Sequence, residues 1–297
     1  MCRLFGFRSV LESSVHQSLI SAENALVVQS QRHRDGWGLA YYIGGFPHVV
    51  KSQQFASDDP LFQRVSGVVS SHTVLAHVRR ATKGELTPFN SHPFQYGPWA
   101  MGHNGDIAQF NKHRHTLINL IANNLRPFVL GETDSEVLFF LFLTHMQLFQ
   151  DAHCKAQHLT HAIQALQKTV ECIQKALNSH TIGQCEESLT CVLTDGQIML
   201  GVQAGKPLYL STHKQQCSKQ SSCPFFQRTC LHASSSQDKL THFLLSSEPL
   251  QGENIWQSIA PSHIVAVDQN MQLHQTTLKH MPIDKALHQP AVPERGG

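Results

Sequence analysis

Strand-like segments occupy both ends of this 297-residue sequence, and helical segments lie between them. In the first third, turns rich in Gly, Pro and Asn separate short strand-like runs. These runs cover residues 2–9, 36–43, 48–53, 73–80 and 99–103. In the last third, Asp195-Gly196 is typical of a tight hairpin turn. The strands predicted there cover residues 189–194, 198–203, 208–211, 243–247, 264–267 and 271–275. This order favours a layered α+β fold.

Three helical segments are predicted between these strands. The first covers residues 17–31. Thr133 or Asp134 is a good N-cap for the second, which runs to about Gln150 and is apolar almost all round, so it should be buried on most sides. The third has an apolar stripe at an alternating spacing of four and three residues, which should cover one face of a sheet. The stripe consists of Leu159, Ile163, Leu166, Val170, Ile173 and Leu177.

Charge and composition exclude several classes of protein. The formal net charge is only +2, so a nucleic acid or an anionic membrane is not an expected partner. The longest strongly apolar run, residues 137–143, falls well short of the roughly 20 residues that span a bilayer. No charged and apolar leader opens the sequence, and its eight cysteines have irregular spacings, which indicates reduced thiols rather than disulfides. A cytoplasmic protein is therefore predicted.

One domain is predicted over residues 2–288, with a loop insertion at 212–239 and a flexible tail at 289–297. The insertion contains four potential metal ligands, Cys217, Cys223, Cys230 and His232. The cysteines are more widely spaced than in zinc knuckles, so a polar loop with incidental thiols is favoured over structural zinc. No metal or other cofactor is expected.

The most specific chemical clue is Cys2. Removal of Met1 before a small residue would leave a first residue that carries both a thiol and a free α-amine. An α-amine has a pKa of about 7.7 to 8.0, so it can accept the thiol proton near neutral pH, through a water molecule. Cys2 is therefore a candidate nucleophile. The alternative is a buried structural cysteine in the first strand.

A second clue is Gly102-His103-Asn104-Gly105, which follows an apolar strand. The amide of Asn104 and the backbone N–H of Gly105 can point at one spot, as an oxyanion hole for a tetrahedral intermediate requires. The alternative is an ordinary Asn-Gly turn.

A third group of polar residues lies at and just after the end of the strand predicted at 73–80. Arg79 can bind a carboxylate through two parallel hydrogen bonds, and the hydroxyl of Thr82 can add another. The alternative is a solvated basic strand end. Asp134 would suit a substrate ammonium, although it is also a natural helix N-cap, and the two roles can coexist.

These motifs together resemble, in order and spacing, the glutaminase domain of class II glutamine amidotransferases. The resemblance covers residues 2 to about 145 well and continues more weakly to about 275. Two further motifs are typical of a stand-alone branch that includes the ergothioneine-pathway γ-glutamyl amidohydrolase and a yeast-type glutathione-degradation subunit. They are Asp35-Gly36-Trp37-Gly38 and Ser247-Glu248-Pro249-Leu250. The motifs that carry the resemblance are Cys2, residues 32–38, 79–84, 90–94, 103–105 and 131–136.

The resemblance implies an N-terminal-nucleophile (Ntn) hydrolase αββα sandwich, in which helices flank two antiparallel sheets. It makes Cys2 the nucleophile and its α-amine the base. The side chain of Asn104 and the N–H of Gly105 would form the oxyanion hole.

The resemblance also assigns substrate-binding roles. Arg79 and Thr82 would bind the α-carboxylate of a glutamyl group, and Asp134 would bind its α-ammonium. Arg32 matches a supporting arginine near the nucleophile. The sequence departs from the synthase type at Lys83, which replaces a histidine but remains a hydrogen-bond donor.

The implied reaction is hydrolysis of a γ-glutamyl amide through a Cys2 thioester, with release of glutamate. About 150 residues follow the glutaminase motifs, and most of them are needed to complete the sheet sandwich, so no acceptor domain is expected among them. The chain would therefore hydrolyse a larger γ-glutamyl conjugate outright or, less favoured, supply glutaminase activity to a partner subunit. Assembly into a homo-oligomer is a further possibility that the sequence leaves open. A non-catalytic regulatory module of the same fold is a further alternative, and the intact set of motif residues argues against it.

Overall fold

The computed structural model describes residues 2–14, 16–22, 24–81, 84–149, 158–177, 188–218, 220–224, 226–227, 230–232 and 239–278. Thirteen strands lie within these ranges. They are β1 (Arg3–Ser14), β2 (Trp37–Ile43), β3 (Phe46–Ser52), β4 (Ser70–Val78), β5 (Phe94–Tyr96), β6 (Trp99–Asp106), β7 (Ser188–Thr194), β8 (Met199–Gln203), β9 (Tyr209–Ser211), β10 (His242–Ser246), β11 (Gln257–Ser258), β12 (His263–Val267) and β13 (Leu273–Thr277).

The strands form two antiparallel sheets. The first has the order β11-β9-β10-β1-β4-β2-β3, and the second has the order β13-β12-β8-β7-β6-β5. In the first sheet β1 is central and pairs with β10 on one side and with β4 on the other. In the second sheet β6 pairs along its length with β7, whereas β5 covers only the first three residues of its other edge.

Five α-helices lie in the described part of the chain, and they cover the outer faces of the sheets. They are α1 (Leu26–Gln29), α2 (Pro60–Val68), α3 (Phe110–Asn119), α4 (Asp134–Met146) and α5 (His158–Leu177). One apolar cluster, which includes Leu4, Leu75 and Val192, fills the space between the sheets. Two others join α1 and α2 to the first sheet and α3, α4 and α5 to the second. The predicted αββα sandwich is confirmed.

The two long predicted helices are present, with a difference at one end. Thr133 is the N-cap of α4, since its hydroxyl accepts a hydrogen bond from the backbone N–H of Glu136 at 3.3 Å. The α-helix ends at Met146, and a tighter 3-10 turn, Gln147–Phe149, takes its last residues. Such tightening is common where the last carbonyl groups lack partners within the helix.

The predicted helix over residues 17–31 is wrong as one continuous element. It consists of a π-helical turn (Gln17–Ser21), the single turn of α1 and a 3-10 turn (Ser30–Arg32). Asn24 lies at the break, where its side chain donates to the carbonyl of Pro249 and accepts from the N–H of Gln251, both at 2.7 Å. These long-range hydrogen bonds compete with continuation of the helix, and local sequence could not show them.

Two helices, α2 and α3, were not predicted. The start of α2 had a legible signal, because Asp59 caps it by accepting from the N–H of Leu61 and Pro60 takes the first helical position. In the described part of 212–239, isolated β-bridges join Lys214 to Asn254 and Lys239 to Gln272. The tail at 289–297 lies outside the described residues, and the domain boundaries stay a prediction.

Candidate active site

Cys2 lies directly before β1, the central strand of the first sheet. The strands β4 and β10 flank β1 on its two sides. The backbone N–H of Arg80 donates to its sulfur at 3.3 Å, and the sulfur is 3.4 Å from the carbonyl oxygen of Arg80. Burial raises the pKa of the Cys2 thiol, as does Asp134, while the Arg80 hydrogen bond and the charge of Arg79 oppose the rise. The thiol is therefore protonated near neutral pH.

Asn104 and Gly105 lie in β6 of the facing sheet. Leu4 packs over Gly102, where an added Cβ would come 2.6 Å from its Cδ2 atom. Side chains alternate along a strand, so residues two positions apart lie on the same face. Cys2 therefore lies on the same face of its sheet as Leu4, and Asn104 on the same face as Gly102, towards the space between the sheets. Asn104 is buried.

The backbone of Gly105 is turned away from β7. Its register partner Leu189 donates its own N–H to the carbonyl of Ala204 at 2.8 Å, on the side away from β6. Gly105 and Leu189 are therefore a non-hydrogen-bonded pair, so the N–H of Gly105 points to the edge of β6 that β5 leaves uncovered. A Cβ at Gly105 would overlap the carbonyl oxygen of Ser188 and the ring of His103, so no larger residue fits without movement.

Arg79 follows β4 and is 3% exposed. One of its terminal nitrogens donates to the carbonyl of Glu85 at 3.2 Å. Burial lowers the pKa of Arg79, and the nearby Cys2 and Asp35 oppose this. A buried, forked cation of this kind can hold a carboxylate in a fixed orientation.

The Asp35-Gly36-Trp37-Gly38 motif fixes the chain around Arg79. The carboxylate of Asp35 accepts from the N–H of Ala81 at 2.7 Å, and the carbonyl of Gly36 accepts from the N–H of Arg79 at 2.8 Å. Gly36 has φ +110°, a conformation that favours glycine, and the Trp37 indole donates to Asp59. The motif therefore has a structural role that the sequence did not show.

Asp134 is the first residue of α4 and is 4% exposed. Its Oδ2 atom accepts from the N–H of Ile107, just after β6, at 2.7 Å, and its Oδ1 atom accepts from the N–H of Ser135 at 2.8 Å. The hydroxyl of Ser135 also contacts Oδ1, at 3.4 Å. Since Thr133 is the N-cap, the carboxylate of Asp134 is not the group that caps α4.

Three buried histidines beneath the site were not recognised as site residues from the sequence. The two ring nitrogens of His103 contact the hydroxyl of Ser135 at 2.8 Å and the carbonyl of Ser188 at 3.1 Å. The rings of His77 and His92 lie 4.2 Å apart. Burial lowers the pKa of His77 to about 3 and lowers that of His92 well below its usual value, so both rings are neutral. Their only signal was their place inside the motifs around Arg79, Asn90 and Asn104.

One pocket brings four of the predicted site residues together: Cys2, Arg79, Gly105 and Asp134 all line it, and His92 and His103 form part of its wall. Asn104 is the buried neighbour of Gly105 in β6. Thr82 and Lys83 lie outside the described residues, as does the side chain of Arg32, so these assignments stay predictions.

Within the described ranges, no group of three or more His, Cys, Asp or Glu side chains is arranged to hold a metal ion. The zinc alternative at Cys217, Cys223, Cys230 and His232 therefore gains no support from the structure. Among the same residues, no helix has the length and apolar character that crossing a membrane requires.

The overall architecture is shared with solved structures. A glutamine aminotransferase class-II domain protein from Silicibacter pomeroyi superimposes with a TM-score of 0.62 at 20% identity, covering 93% of this chain and 99% of that one. The glutamine phosphoribosylpyrophosphate amidotransferase of B. subtilis gives 0.58 at 14% identity, with coverage of 95% and 50%. The fold is thus of the N-terminal-nucleophile type.

Sequence comparison identifies the family, within this fold class, to which the chain belongs. A family model described as glutamine amidotransferases class-II matches residues 1–290, and the chain belongs to that family. The probable glutamine amidotransferase DUG3 of Saccharomyces cerevisiae is 31% identical over 160 residues, which are 48% of this chain and 45% of the relative. The γ-glutamyl-hercynylcysteine sulfoxide hydrolase of Mycobacterium tuberculosis is 32% identical over 121 residues, which are 36% and 50% of the two chains. The matches thus span about half the length of these relatives.

Proposed function

We propose that this chain hydrolyses a γ-glutamyl amide, with Cys2 as the nucleophile. The observation that carries the proposal is the single pocket lined by Cys2, Arg79, Gly105 and Asp134. It combines a thiol, a buried cation, a backbone N–H and a buried carboxylate. A γ-glutamyl amide has the matching groups, which are an amide carbon, an α-carboxylate, a carbonyl oxygen and an α-ammonium.

In the proposed cycle the α-amine of Cys2, exposed by loss of Met1, takes the thiol proton. Sulfur then bonds to the amide carbon, while the amide of Asn104 and the N–H of Gly105 stabilise the negative oxygen. The C–N bond breaks and the amine leaves with the proton. Water then cleaves the thioester, which releases glutamate and restores the thiol. Arg79 and Thr82 would hold the α-carboxylate and Asp134 the α-ammonium.

Outright hydrolysis of a conjugate is favoured over delivery of ammonia to a partner. In support, one relative is named a γ-glutamyl-hercynylcysteine sulfoxide hydrolase, which is a hydrolase of a γ-glutamyl conjugate. A glutaminase that acts only with a partner subunit is the second candidate. The two candidate functions differ in whether the isolated chain hydrolyses its substrate without a partner.

The test is glutamate release from glutamine, glutathione and other γ-glutamyl amides by the wild type and by Cys2→Ala, with Met1 removal checked by intact mass. Release from one substrate class that Cys2→Ala abolishes is the expected result. Cys172→Ala is a matched control, because Cys172 is also half-buried but lies on α5, away from the pocket. No release from any amide by protein that lacks Met1 would contradict autonomous hydrolysis, and activity restored by a cell extract would favour a partner.

A further inference from the structure

The residue after the nucleophile forms an ion pair that no step of the proposed cycle uses. One terminal nitrogen of Arg3 contacts the carbonyl oxygen of Cys2 at 3.4 Å, and the other pairs with the carboxylate of Glu248. The side chain of Arg3 is 14% exposed and that of Glu248 is 40% exposed. A chain of contacts thus runs from Glu248 through Arg3 to the nucleophile.

The segment that carries Glu248 is bound firmly to the start of β1. The backbone N–H of Ser247 donates to the carbonyl of Leu4 at 3.0 Å, and the hydroxyl of Ser247 accepts from the N–H of Leu4 at 2.9 Å. Glu248 therefore follows a residue that is doubly bonded to the strand of the nucleophile.

The rest of this segment is braced from a second side. Asn24 bonds to the backbone of Pro249 and of Gln251, as described above, and the indole of Trp256 donates to the carbonyl of Leu250 at 2.8 Å. Long-range bonds thus surround Glu248 on both sides along the chain. Its carboxylate is presented from a rigid support rather than from a free loop.

We propose that Glu248 is a positioning residue that acts through Arg3 to orient Cys2 and to balance charge beside its α-amine. The inference rests on the proposed function. Once Met1 is removed, no preceding peptide holds Cys2, and its thiol and amine are joined covalently to the fold only through its carbonyl carbon. A contact on the carbonyl oxygen fixes the peptide plane from which the Cα atom, the thiol and the amine project, and such restraints raise the fraction of molecules ready to react.

The ion pair between Arg3 and Glu248 also affects the protonation of Cys2, because it lies among the charges around that residue. Arg79 and Asp134 face it across the pocket, Arg80 is adjacent through its backbone, and Arg3 and Glu248 lie on the β10 side. With Glu248 neutral, the positive charge of Arg3 is uncompensated and favours a neutral amine and a thiolate. With Arg3 neutral, the negative charge of Glu248 has the opposite effect.

The experiment compares Glu248→Gln, Arg3→Gln and the double variant. Two readouts are taken against pH: kcat on the substrate that the wild type hydrolyses, and the rate at which iodoacetamide alkylates Cys2, followed by peptide mass. Glu248→Gln should move the acidic limb of both profiles to lower pH and Arg3→Gln to higher pH, each on the order of half a pH unit for a partly screened charge. The double variant should return the limb to the wild-type position. In all three, kcat should fall about tenfold with KM changed less than twofold.

Glu253→Gln is the matched control, since Glu253 pairs with Lys214 at 2.9 Å and does not contact the N-terminal residues. It should leave both profiles unchanged. Glu248→Asp should recover part of the lost kcat, and equal Tm values for all variants would separate positioning from folding. Shifts of the same sign in Glu248→Gln and Arg3→Gln, or none, would overturn the proposal. Alkylation needs no substrate, so opposite shifts without any glutamate release would refute autonomous hydrolysis and keep the positioning role.

Discussion

Burial sets the protonation states of Cys2 and of the histidines near it. It raises the pKa of the Cys2 thiol and lowers those of His77 and His92, so all three groups are neutral near neutral pH. The described cations that line the pocket are Arg79 and Arg80. Because the rings of His77 and His92 are neutral, Arg79 is the buried positive group at this pocket. Its attraction for a carboxylate is therefore concentrated at one point.

At Arg79 we expect geometry to matter more than charge. Arg79→Lys keeps the positive charge but loses the two parallel donors of the guanidinium, so KM for a γ-glutamyl amide should rise about 10- to 100-fold with kcat changed far less. Initial rates of glutamate release across substrate concentration give both constants. Arg64→Lys on the exposed face of α2 is the control and should behave as wild type. An unchanged KM in Arg79→Lys would mean that the carboxylate binds elsewhere.

Among the elements, α4 is the one that joins the two halves of the site. Its first residue, Asp134, bonds to the backbone just after β6, and its second, Ser135, bonds to His103 within β6. The helix that carries the predicted ammonium ligand is thereby tied to the strand that carries the predicted oxyanion donors. Movement of either element would change both subsites together.

The start of α5 has a pH-dependent attachment to the β7–β8 turn. His158 bonds to Asp195 at 2.7 Å, and this bond raises the pKa of His158 above its ordinary value. The stabilisation should be complete below about pH 6.5, the value of an unfolded histidine, and should be lost as the pH rises through the higher folded value. The same pair lowers the pKa of Asp195, so its contribution fades only in strong acid.

His158→Gln removes this titration, because glutamine stays neutral. The difference in Tm between wild type and His158→Gln should be largest near pH 5.5 and should shrink towards pH 8.5. Thermal unfolding followed by circular dichroism across this range measures it. His274→Gln is a useful comparison for the loss of a histidine–aspartate contact, since its pair with Asp268 is more exposed. A difference independent of pH would contradict the attachment.

For the whole molecule, the stacking of the two sheets depends on a close approach at Gly102. A Cβ there would meet Leu4, so Gly102→Ala should push the sheets apart and lower the free energy of unfolding by about 1–3 kcal/mol. Adding Leu4→Val creates room, and the double variant should lose less than the sum of the two single losses.

Denaturant unfolding of all three variants tests this coupling. Gly67→Ala is the control, because Gly67 lies on exposed α2 with no atom closer than 4.0 Å to an added Cβ, and alanine favours a helix. If the losses of unfolding free energy in Leu4→Val and Gly102→Ala are additive, the side chains at these two positions do not compete for the same space.

The sequence by itself determined the layered fold, the long helices α4 and α5, most of the strands and the family. These features depend on periodic apolar patterns and on local motifs, which are carried by neighbouring residues. It also predicted Cys2, Arg79, Gly105 and Asp134 as site residues, and the structure brings these into one pocket.

Only the tertiary structure decided which distant groups meet. The break near Asn24 depends on bonds to residues more than 220 positions away, the roles of His103 and Asp35 depend on partners in other elements, and Glu248 reaches Arg3 across 245 positions. Sequence patterns report burial and local turn chemistry, whereas hydrogen bonds across the sandwich arise only when β1, β4, β6 and β10 lie side by side. That is why Cys2 could be proposed as a site residue from the sequence and the contacts around it could not.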